Sequence, residues 1–484
     1  MTGTAIGTLP RPARWAALAL VVAAQFMVVL DMSIVNVALA AIKSDLRFSQ
    51  AGLQWVVSAY ALTFGGFLLL GGRLADVLGR RRLFVAGIVL FTVSSALCGL
   101  AWSSASLIVF RGLQGIGGAL FAPAGLSLLM TVFREGRERN LALGIWGAAS
   151  GSGAAVGVLL GGVLTSYLSW PWVFYINVPV GLAVALLAPA RLPESRAPGI
   201  GRHFDVAGAL TVTGSLMLLV VALTKATQDG WGSASTLVPL AASAVLAAVF
   251  AAVERRAASP LLPFAAFRGN MLAVGALITS VVAAVAFAQF FLLTLYLQQV
   301  LHYSAARSGL AFAVIAGTVA VTSNLAQGVV GRLGPRRVLA VGLLAAAASQ
   351  ALLMRLPVDG SYVSDLLPSF VLIGIGLGVS FISVTIASLA GVPPTHAGVA
   401  SGLVNVSRQI GGAVGLAAMT TVASLAAHHS TAPAATVHGD HVAFGVLAGL
   451  ALVAALLTPT LRPHRREETA PAPVTAERVL EQAA

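Results

Sequence analysis

The stretch Gly71-Gly72-Arg73-Leu74-Ala75-Asp76-Val77-Leu78-Gly79-Arg80-Arg81-Arg82-Leu83 lies between two apolar runs, 51–71 and 83–101. Its glycines permit a tight turn between two helices, and its arginines hold that turn at a membrane surface. Asp76 is an acid among four arginines. A signal for membrane topology would explain the arginines but neither the acid nor the spacing of the glycines. We therefore expect this turn to do more than orient its helices.

The composition places the chain in a bilayer. Of 484 residues, 58% are hydrophobic and only 9% are charged, and the mean hydropathy is +0.92. A soluble fold of this length cannot cover its surface with so few charges. Repeated apolar runs of about 20 residues, each long enough to span a bilayer, predict an all-α polytopic membrane protein. The net charge of +13 comes from short basic clusters between these runs, so we expect no nucleic-acid partner.

Fourteen apolar runs are predicted to span the membrane. The first is too long for a signal peptide and is interrupted by Asp31, so we expect a retained helix. The predicted spans are 15–42, 51–71, 83–101, 105–130, 141–166, 170–188, 206–224, 234–253, 270–297, 308–330, 337–354, 364–390, 401–427 and 441–460.

The basic residues orient these spans. With the N-terminus inside, the inner segments and both tails hold 22 of the 29 lysines and arginines. This bias predicts that both termini are cytoplasmic. We expect the Pro/Ala/Glu-rich tail, 461–484, to be disordered. A short cytoplasmic tail, 1–14, precedes the first span.

An internal repeat divides the chain into two halves. Residues 78–82 resemble residues 333–337 at an offset of 255, and the same offset takes Gly147 to Gly402 and Gly157 to Gly412. The repeat predicts a six-helix half at 15–190, an extra helix pair at 206–253 and a second six-helix half at 270–460. Repeated halves around a central site are the architecture of secondary transporters.

The opening stretch resembles the loop between helices 2 and 3 of the major facilitator superfamily, roughly G-x-L-A-D-R-x-G-R-R/K. Val77 stands where a basic residue is usual. The resemblance implies that this loop takes part in gating, since a latch is needed when one half rocks against the other. The residues to which it assigns this role are Gly72, Asp76, Gly79, Arg80 and Arg81.

Residues 107–119 resemble the signature of helix 4 in the same superfamily. Arg111, Gln114, Gly115 and Gly118 fall at i, i+3, i+4 and i+7, which is one helical face. Small residues let a neighbouring helix approach, and an arginine inside a membrane must find an internal partner. That partner is either a coupling carboxylate or a set of backbone carbonyls, and the sequence leaves both open.

The fifth span resembles the antiporter signature G-x-x-x-G-P-x-x-G-G through Gly153, Gly157, Gly161 and Gly162. Val158 replaces its proline, so we expect a straighter helix, and the signature by itself does not establish antiport. Plain close packing of small residues is an alternative role for these glycines. The stretches 168–170 and 177–179 follow, as is typical of fourteen-helix drug exporters.

Residues 30–40, LDMSIVNVALA, resemble the helix-1 signature of the fourteen-helix drug:proton antiporters. We expect Asp31 to be the one carboxylate deep in a span, because every other acid falls in a loop, a tail or a membrane edge of the predicted spans. Burial favours the neutral carboxyl and a nearby arginine favours the carboxylate. The two opposing effects together can place the pKa of the acid in the range where it gains and loses a proton during transport. The alternative is a static Asp31–Arg111 ion pair that joins two helices.

Aromatic and amide side chains in the spans are candidates for substrate contact, because such groups suit bulky amphipathic ligands. Packing within the protein or against lipid is the alternative role for each of them. The candidates are Gln25, Asn36, Trp55, Tyr60, Gln114, Phe287, Phe290, Phe291, Thr294, Gln298, Asn405, Arg408 and Gln409.

The resemblance implies a proton-coupled exporter of amphipathic small molecules, drugs or antibiotics in the cytoplasmic membrane, acting as a monomer. A proton-coupled importer or facilitator of a metabolite on the same fold is the alternative that Val158 leaves open. We expect no enzyme activity, no cofactor other than the coupling proton and no metal, since the chain has no nucleotide-binding Gly-x4-Gly-Lys-Ser/Thr loop. His428, His429, His438 and His441 are expected to be solvated in one outer loop, with weak metal binding as the alternative.

Overall fold

The computed structural model describes residues 10–133, 137–196, 206–256, 271–389, 397–428, 430 and 432–461. These residues form helices joined by short turns. The helices are α1 Arg11–Asp45, α2 Gln50–Leu53, α3 Trp55–Leu78, α4 Arg80–Gly99, α5 Ser104–Val132, α6 Arg137–Tyr167, α7 Trp172–Tyr175, α8 Asn177–Arg191, α9 Val206–Asp229, α10 Ala234–Arg256, α11 Met271–Leu295, α12 Ala305–Leu333, α13 Pro335–Leu353, α14 Leu367–Leu389, α15 Ala397–Ala426 and α16 Pro433–Leu457.

Fourteen helical spans in the described residues are long and apolar enough to cross a membrane, which confirms the predicted class and number. The fifth span, α6, runs without a break through Val158, as expected where no proline interrupts the hydrogen-bond ladder. The ninth span continues beyond α11 as a π-helical turn, Tyr296–Val300. A second π-helical turn, Tyr362–Leu366, precedes α14.

The last span begins earlier than its apolar run suggests, and this overturns one expectation. Helix α16 starts at Pro433, so Asp440 lies inside a span with only 4% of its surface exposed. Asp31 is therefore not the one carboxylate within the spans. Sequence hydropathy missed this because three polar residues, 438, 440 and 441, interrupt the start of α16. Close packing at Gly439, where an added Cβ would lie 3.2 Å from Ala427, keeps this turn against α15.

The expectation of a solvated histidine loop is wrong in part for the same reason. His438 and His441 lie in α16, and the Nε2 atom of His441 is 2.8 Å from the carbonyl oxygen of Leu356. His428 ends the preceding turn, and His429 lies outside the described residues. No group of three potential metal ligands occurs in the described part of the chain.

The two predicted halves have matching internal packing. In each half the fifth long helix packs along the first, α6 on α1 and α15 on α11. The turns on which the repeat was detected match as well, since Gly79 (φ +117°) and Gly334 (φ +80°) both adopt the left-handed backbone that glycine tolerates best. The halves meet along two equivalent seams, α3 with α15 and α6 with α12.

The α6–α12 seam is tight at one end only. We call the end that carries Gly79 and Gly334 the loop end, and the opposite end the far end. At the far end, a Cβ added to Gly162 would lie 2.7 Å from the carbonyl oxygen of Ala305. Toward the loop end, a Cβ added to Gly144 on α6 or to Gly328 on α12 would meet nothing within 4 Å. This seam is therefore closed at the far end and open toward the loop end.

Helix α9 of the inserted pair, α9 and α10, packs against both helices of the α3–α15 seam. Gln54, at the start of α3, donates from Nε2 to Thr224 of α9 (2.8 Å) and accepts a hydrogen bond from Thr420 of α15 (2.6 Å). All three side chains are buried. Helix α10 packs on α9, where the hydroxyl of Ser215 donates to the carbonyl of Ser243. The insert thus contacts both halves rather than standing apart from them.

Candidate functional site

Asp31 lies near the middle of α1 and is completely buried, with 0% of its surface exposed. The Nη1 atom of Arg111, on α5, donates to the Oδ2 atom of Asp31 at 2.6 Å. Arg111 is itself only 1% exposed. The structure therefore joins the acid and the base that the sequence placed in separate spans.

Two amides complete the shell of the carboxylate. Gln114, one turn after Arg111, donates from Nε2 to the Oδ1 atom of Asp31 at 2.9 Å. Asn177, the first residue of α8, donates from Nδ2 to the same oxygen at 3.0 Å. Both amides also contact the hydroxyl oxygen of Ser95 on α4, each at 3.1 Å. We call Asp31, Ser95, Arg111, Gln114 and Asn177 the Asp31 cluster.

Arg111 has a backbone carbonyl partner as well as side-chain partners. Its Nε atom donates to the carbonyl of Val56 at 2.9 Å, and Nη1 also contacts the Oε1 atom of Gln114 at 2.7 Å. The ring of Tyr60 lies under the guanidinium, with 4.4 Å between Cζ and the ring centroid. A planar cation with several fixed donors can serve all these partners at once, which a lysine ammonium cannot.

Sequence reasoning missed two members of the cluster, Ser95 and Asn177. Asn177 stands in a stretch typical of fourteen-helix exporters, but that resemblance gave it no role. A usable signal was its position as an amide inside the predicted span 170–188, two residues after the aromatic run 170–175. Ser95 carried no signal, because a serine in an apolar run is common in packed membrane helices.

The Asp31 cluster surrounds one carboxylate with hydrogen-bond donors. Its three described partners all direct N–H groups at Asp31, which is the arrangement of an ionised carboxylate. A proton on Asp31 would remove the counter-ion of a buried arginine and replace a charge-assisted contact by a neutral one. Because Asp31 belongs to α1 and its partners to α5 and α8, protonation would loosen α1 from both.

The glycines of α6 pack against α1 beside this cluster. A Cβ at Gly153 would lie 3.0 Å from the carbonyl oxygen of Phe26, one at Gly157 would lie 2.8 Å from that of Leu30, and one at Gly161 would lie 2.6 Å from that of Ile34. Gly162 instead faces α12 of the other half. The structure thus shows the close packing that was one of the two roles expected for these residues.

The loop of the opening stretch is fixed to its own half. Arg80 donates to the carboxylate of Asp76 (2.9 Å) and to the hydroxyl of Thr131 (2.7 Å). The backbone N–H of Arg81 donates to Glu194, beyond α8, at 3.2 Å. A Cβ added to Gly72 would lie 3.7 Å from the side chain of Pro123, and one added to Gly79 would contact the carboxylate of Glu194. Residues 390–396, which precede the helix of the thirteenth span, lie outside the described residues.

The candidates for substrate contact fall into three groups. Tyr60 and Gln114 belong to the surroundings of Asp31. A second group is engaged in packing or bonds within the protein: Trp55, Phe290, Phe291, Thr294, Gln298 and Asn36. The third group lies near the central interface, where Gln409 is 3.9 Å from the sulfur of Met32: Phe287, Asn405, Arg408 and Gln409. The remaining candidate, Gln25, is partly buried on α1.

Proteins with similar sequences are named for resistance and export. The chain is 42% identical to the puromycin resistance protein of Streptomyces alboniger, over 97% of this chain and 96% of that protein. It is 42% identical to the cephamycin export protein of Amycolatopsis lactamdurans, over 92% of each. It is 38% identical to the tetracenomycin C resistance and export protein of Streptomyces glaucescens, over 86% and 76%.

Solved structures support the fold. A bacterial homologue of the human lysosomal transporter Spinster, in an inward-facing and unoccupied conformation, superposes with a TM-score of 0.68 at 17% identity, over 94% of this chain and 98% of that one. The family model described as Major Facilitator Superfamily matches residues 21–416. The protein is a multi-pass membrane transporter that belongs to the Major Facilitator Superfamily.

Proposed function

We propose that the protein exports amphipathic small molecules, drugs or antibiotics, across the cytoplasmic membrane in exchange for protons. The observation that carries the proton coupling is the Asp31 cluster, a fully buried carboxylate bonded to an arginine and two amides on neighbouring helices. Export is supported by relatives named for resistance to, or export of, puromycin, cephamycin and tetracenomycin C.

In this proposal, Asp31 alternates between a carboxylate and a neutral acid. As a carboxylate it ties α1 to α5 and α8, and the seam between the halves is open at the loop end, which we assign to the cytoplasm. Drug binding from the cytoplasm lets the halves rock so that the far end opens. A proton from outside can then reach Asp31; it neutralises the acid, frees α1 and releases the drug, and the protonated protein rocks back. Proton loss to the cytoplasm restores the tie. The gradient supplies about 2.3 kcal/mol per charge per 100 mV.

The loop with Gly72, Asp76, Gly79, Arg80 and Arg81 would guide this movement. Its contacts with Thr131 and Glu194 bind the inner ends of α3, α4, α5 and α8 into one unit. We propose that the six helices of the first half move as one body, so that a change at Asp31 reaches the opening between the halves. The protein would act as a monomer with no cofactor other than the proton, and with no enzyme activity and no nucleic-acid partner.

Transport in everted membrane vesicles tests the proposal. Export corresponds there to uptake into the vesicle, driven by an acid interior. The wild type should accumulate an exported drug such as puromycin and release protons from the vesicle while doing so. The Asp31→Asn variant keeps size and hydrogen bonding but cannot titrate, so it should insert normally and fail to accumulate drug against a gradient. Full uphill transport by that variant would rule out Asp31 as the coupling acid.

The direction of the same measurement decides between export and the alternative of an importer. A proton-coupled importer carries its substrate in the same direction as the proton, so in everted vesicles an acid interior would drive its substrate out of the vesicle instead of into it. A drug-susceptibility panel in a host stripped of its own exporters then identifies the compounds. Resistance should rise with the wild type and stay at the background level with Asp31→Asn.

A further inference from the structure

Two arginines lie well inside the spans, and the structure treats them differently. Arg111 is buried and paired with Asp31. Arg408, on α15, is exposed, and among the described residues it has no carboxylate partner. It lies about 9 Å from the start of the span Gly402–Ala426 and about 27 Å from its end, at 1.5 Å per residue. Arg408 is therefore an accessible cation inside a span.

The surroundings of Arg408 place it on the opening between the halves rather than on lipid. Its helix, α15, packs against α3, α9, α11, α14 and α16. The next residue, Gln409, reaches Met32 of the opposite half, and the ring of Phe381 on α14 lies 6.0 Å from the Cζ atom of Arg408. A charged side chain at this depth faces either a water-filled space or a partner, because exposure to hydrocarbon is too costly.

The bonding of the guanidinium leaves it free to bind a ligand. Its Nη2 atom donates to the Oδ1 atom of Asn405 at 2.8 Å, and this amide fixes the plane of the guanidinium. No other hydrogen bond from Arg408 occurs within the described part of the chain, so most of its five N–H donors are available. A planar fork of this kind matches a carboxylate, which it can bind through two parallel hydrogen bonds.

One aromatic ring lies beside the guanidinium, and a second packs against the same helix one helical turn away. The first is Phe381, and the second is Phe287 of α11, which packs where a Cβ at Gly412, one turn further along α15, would touch its ring at 2.7 Å. We propose that Arg408 and Asn405, with Phe287 and Phe381, form the part of the substrate site that selects an aromatic molecule bearing one anionic group, such as a carboxylate. This inference rests on the export proposed above and specifies its substrate class.

A dye pair that differs in one carboxylate tests the selection. Rhodamine B carries a free carboxylate, and its ethyl ester has the same ring system without it. Purified wild-type protein should bind the acid more tightly than the ester, as measured by fluorescence anisotropy. Arg408→Gln should weaken binding of the acid by roughly 10-fold or more, the usual value of one charged hydrogen-bonded contact, and should not weaken binding of the ester, which is a net cation. Arg408→Lys should retain part of the preference.

Two further variants distinguish the loss of the Arg408 contact from a loss of the folded protein. Asn405→Asp keeps Arg408 but places a carboxylate on its Nη2 atom, so it should abolish the preference for the acid without weakening the ester. Arg307→Gln removes an exposed arginine that stacks on Tyr303 at the far end (3.7 Å) and should leave both affinities at wild-type values. Equal weakening of both dyes by Arg408→Gln would overturn the inference, and so would no weakening of either.

Lipid composition separates a substrate anion from a lipid headgroup. The preference for rhodamine B should persist in nanodiscs of phosphatidylcholine and in nanodiscs that also contain phosphatidylglycerol. If anionic lipid alone removes the preference, Arg408 binds a lipid phosphate and the inference fails. In vesicles, uphill transport of the ester but not of the acid would overturn the selection and leave export standing, whereas absence of any drug or dye transport would overturn the proposed export itself.

Discussion

At the scale of single residues, Arg111 is the one cation paired with Asp31 among the described residues. Replacing Arg111 by Ala leaves a buried carboxyl with two amide donors and no cation, which favours its neutral form. We expect the pH profile of drug transport to shift upward in this variant. Arg111→Lys should keep the charge but lose the simultaneous bonds to Val56, Asp31 and Gln114, so transport should be only partly restored.

A double variant separates coupling from a static ion pair. Removing one partner of a buried pair typically costs about 3–5 kcal/mol, because the other charge is left alone. Asp31→Asn combined with Arg111→Gln leaves no isolated charge, so its melting temperature should return toward that of the wild type. Drug transport against a gradient should still be absent. A pH profile that is unchanged in Arg111→Ala would show that the two residues are not coupled.

At the scale of helices, the contact of α6 with α1 depends on glycine. Gly157→Ala would push a methyl group into the carbonyl of Leu30 and the side chain of Ser33, next to Asp31. Overpacking of this kind typically costs about 1–3 kcal/mol. We expect a lower melting temperature and slower proton-coupled transport. Gly147→Ala on the same helix is the matched control, since nothing lies within 4 Å of its added Cβ. Equal stability of the two variants would contradict the role given to this contact.

Much of the fold could be predicted from the sequence, because apolar runs and the 255-residue repeat depend on local pattern. The Asp31–Arg111 pair was predictable too, since a membrane leaves few partners for a buried charge. Asn177 and Ser95 were not, because their roles depend on how α4 and α8 pack around α1. Asp440 was misplaced because polar residues at the start of α16 are covered by neighbouring helices, which hydropathy does not register.

At the scale of the whole molecule, the two ends of the α6–α12 seam should open in alternation. Spin labels at Leu141 and Leu333, both exposed at the loop end, report one distance; labels at Tyr167 and Arg307, exposed at the far end, report the other. The single cysteine, Cys98, is buried, so it should not compete with introduced cysteines for the label. Acid pH should shorten the loop-end distance and lengthen the far-end distance together.

The Asp31→Asn variant tests whether this movement depends on protonation of Asp31. The variant mimics the neutral acid, so its two distance distributions should match those of the wild type at acid pH and should not change with pH. The contacts between the halves at the far end would then break. They are the hydrogen bond from the backbone N–H of Ala306 on α12 to Ser166 on α6 (3.0 Å), and the one from Gln298, after α11, to the carbonyl of Val37 on α1 (2.8 Å). If the two ends change independently, or if the variant still responds to pH, protonation of Asp31 is not what rocks the halves.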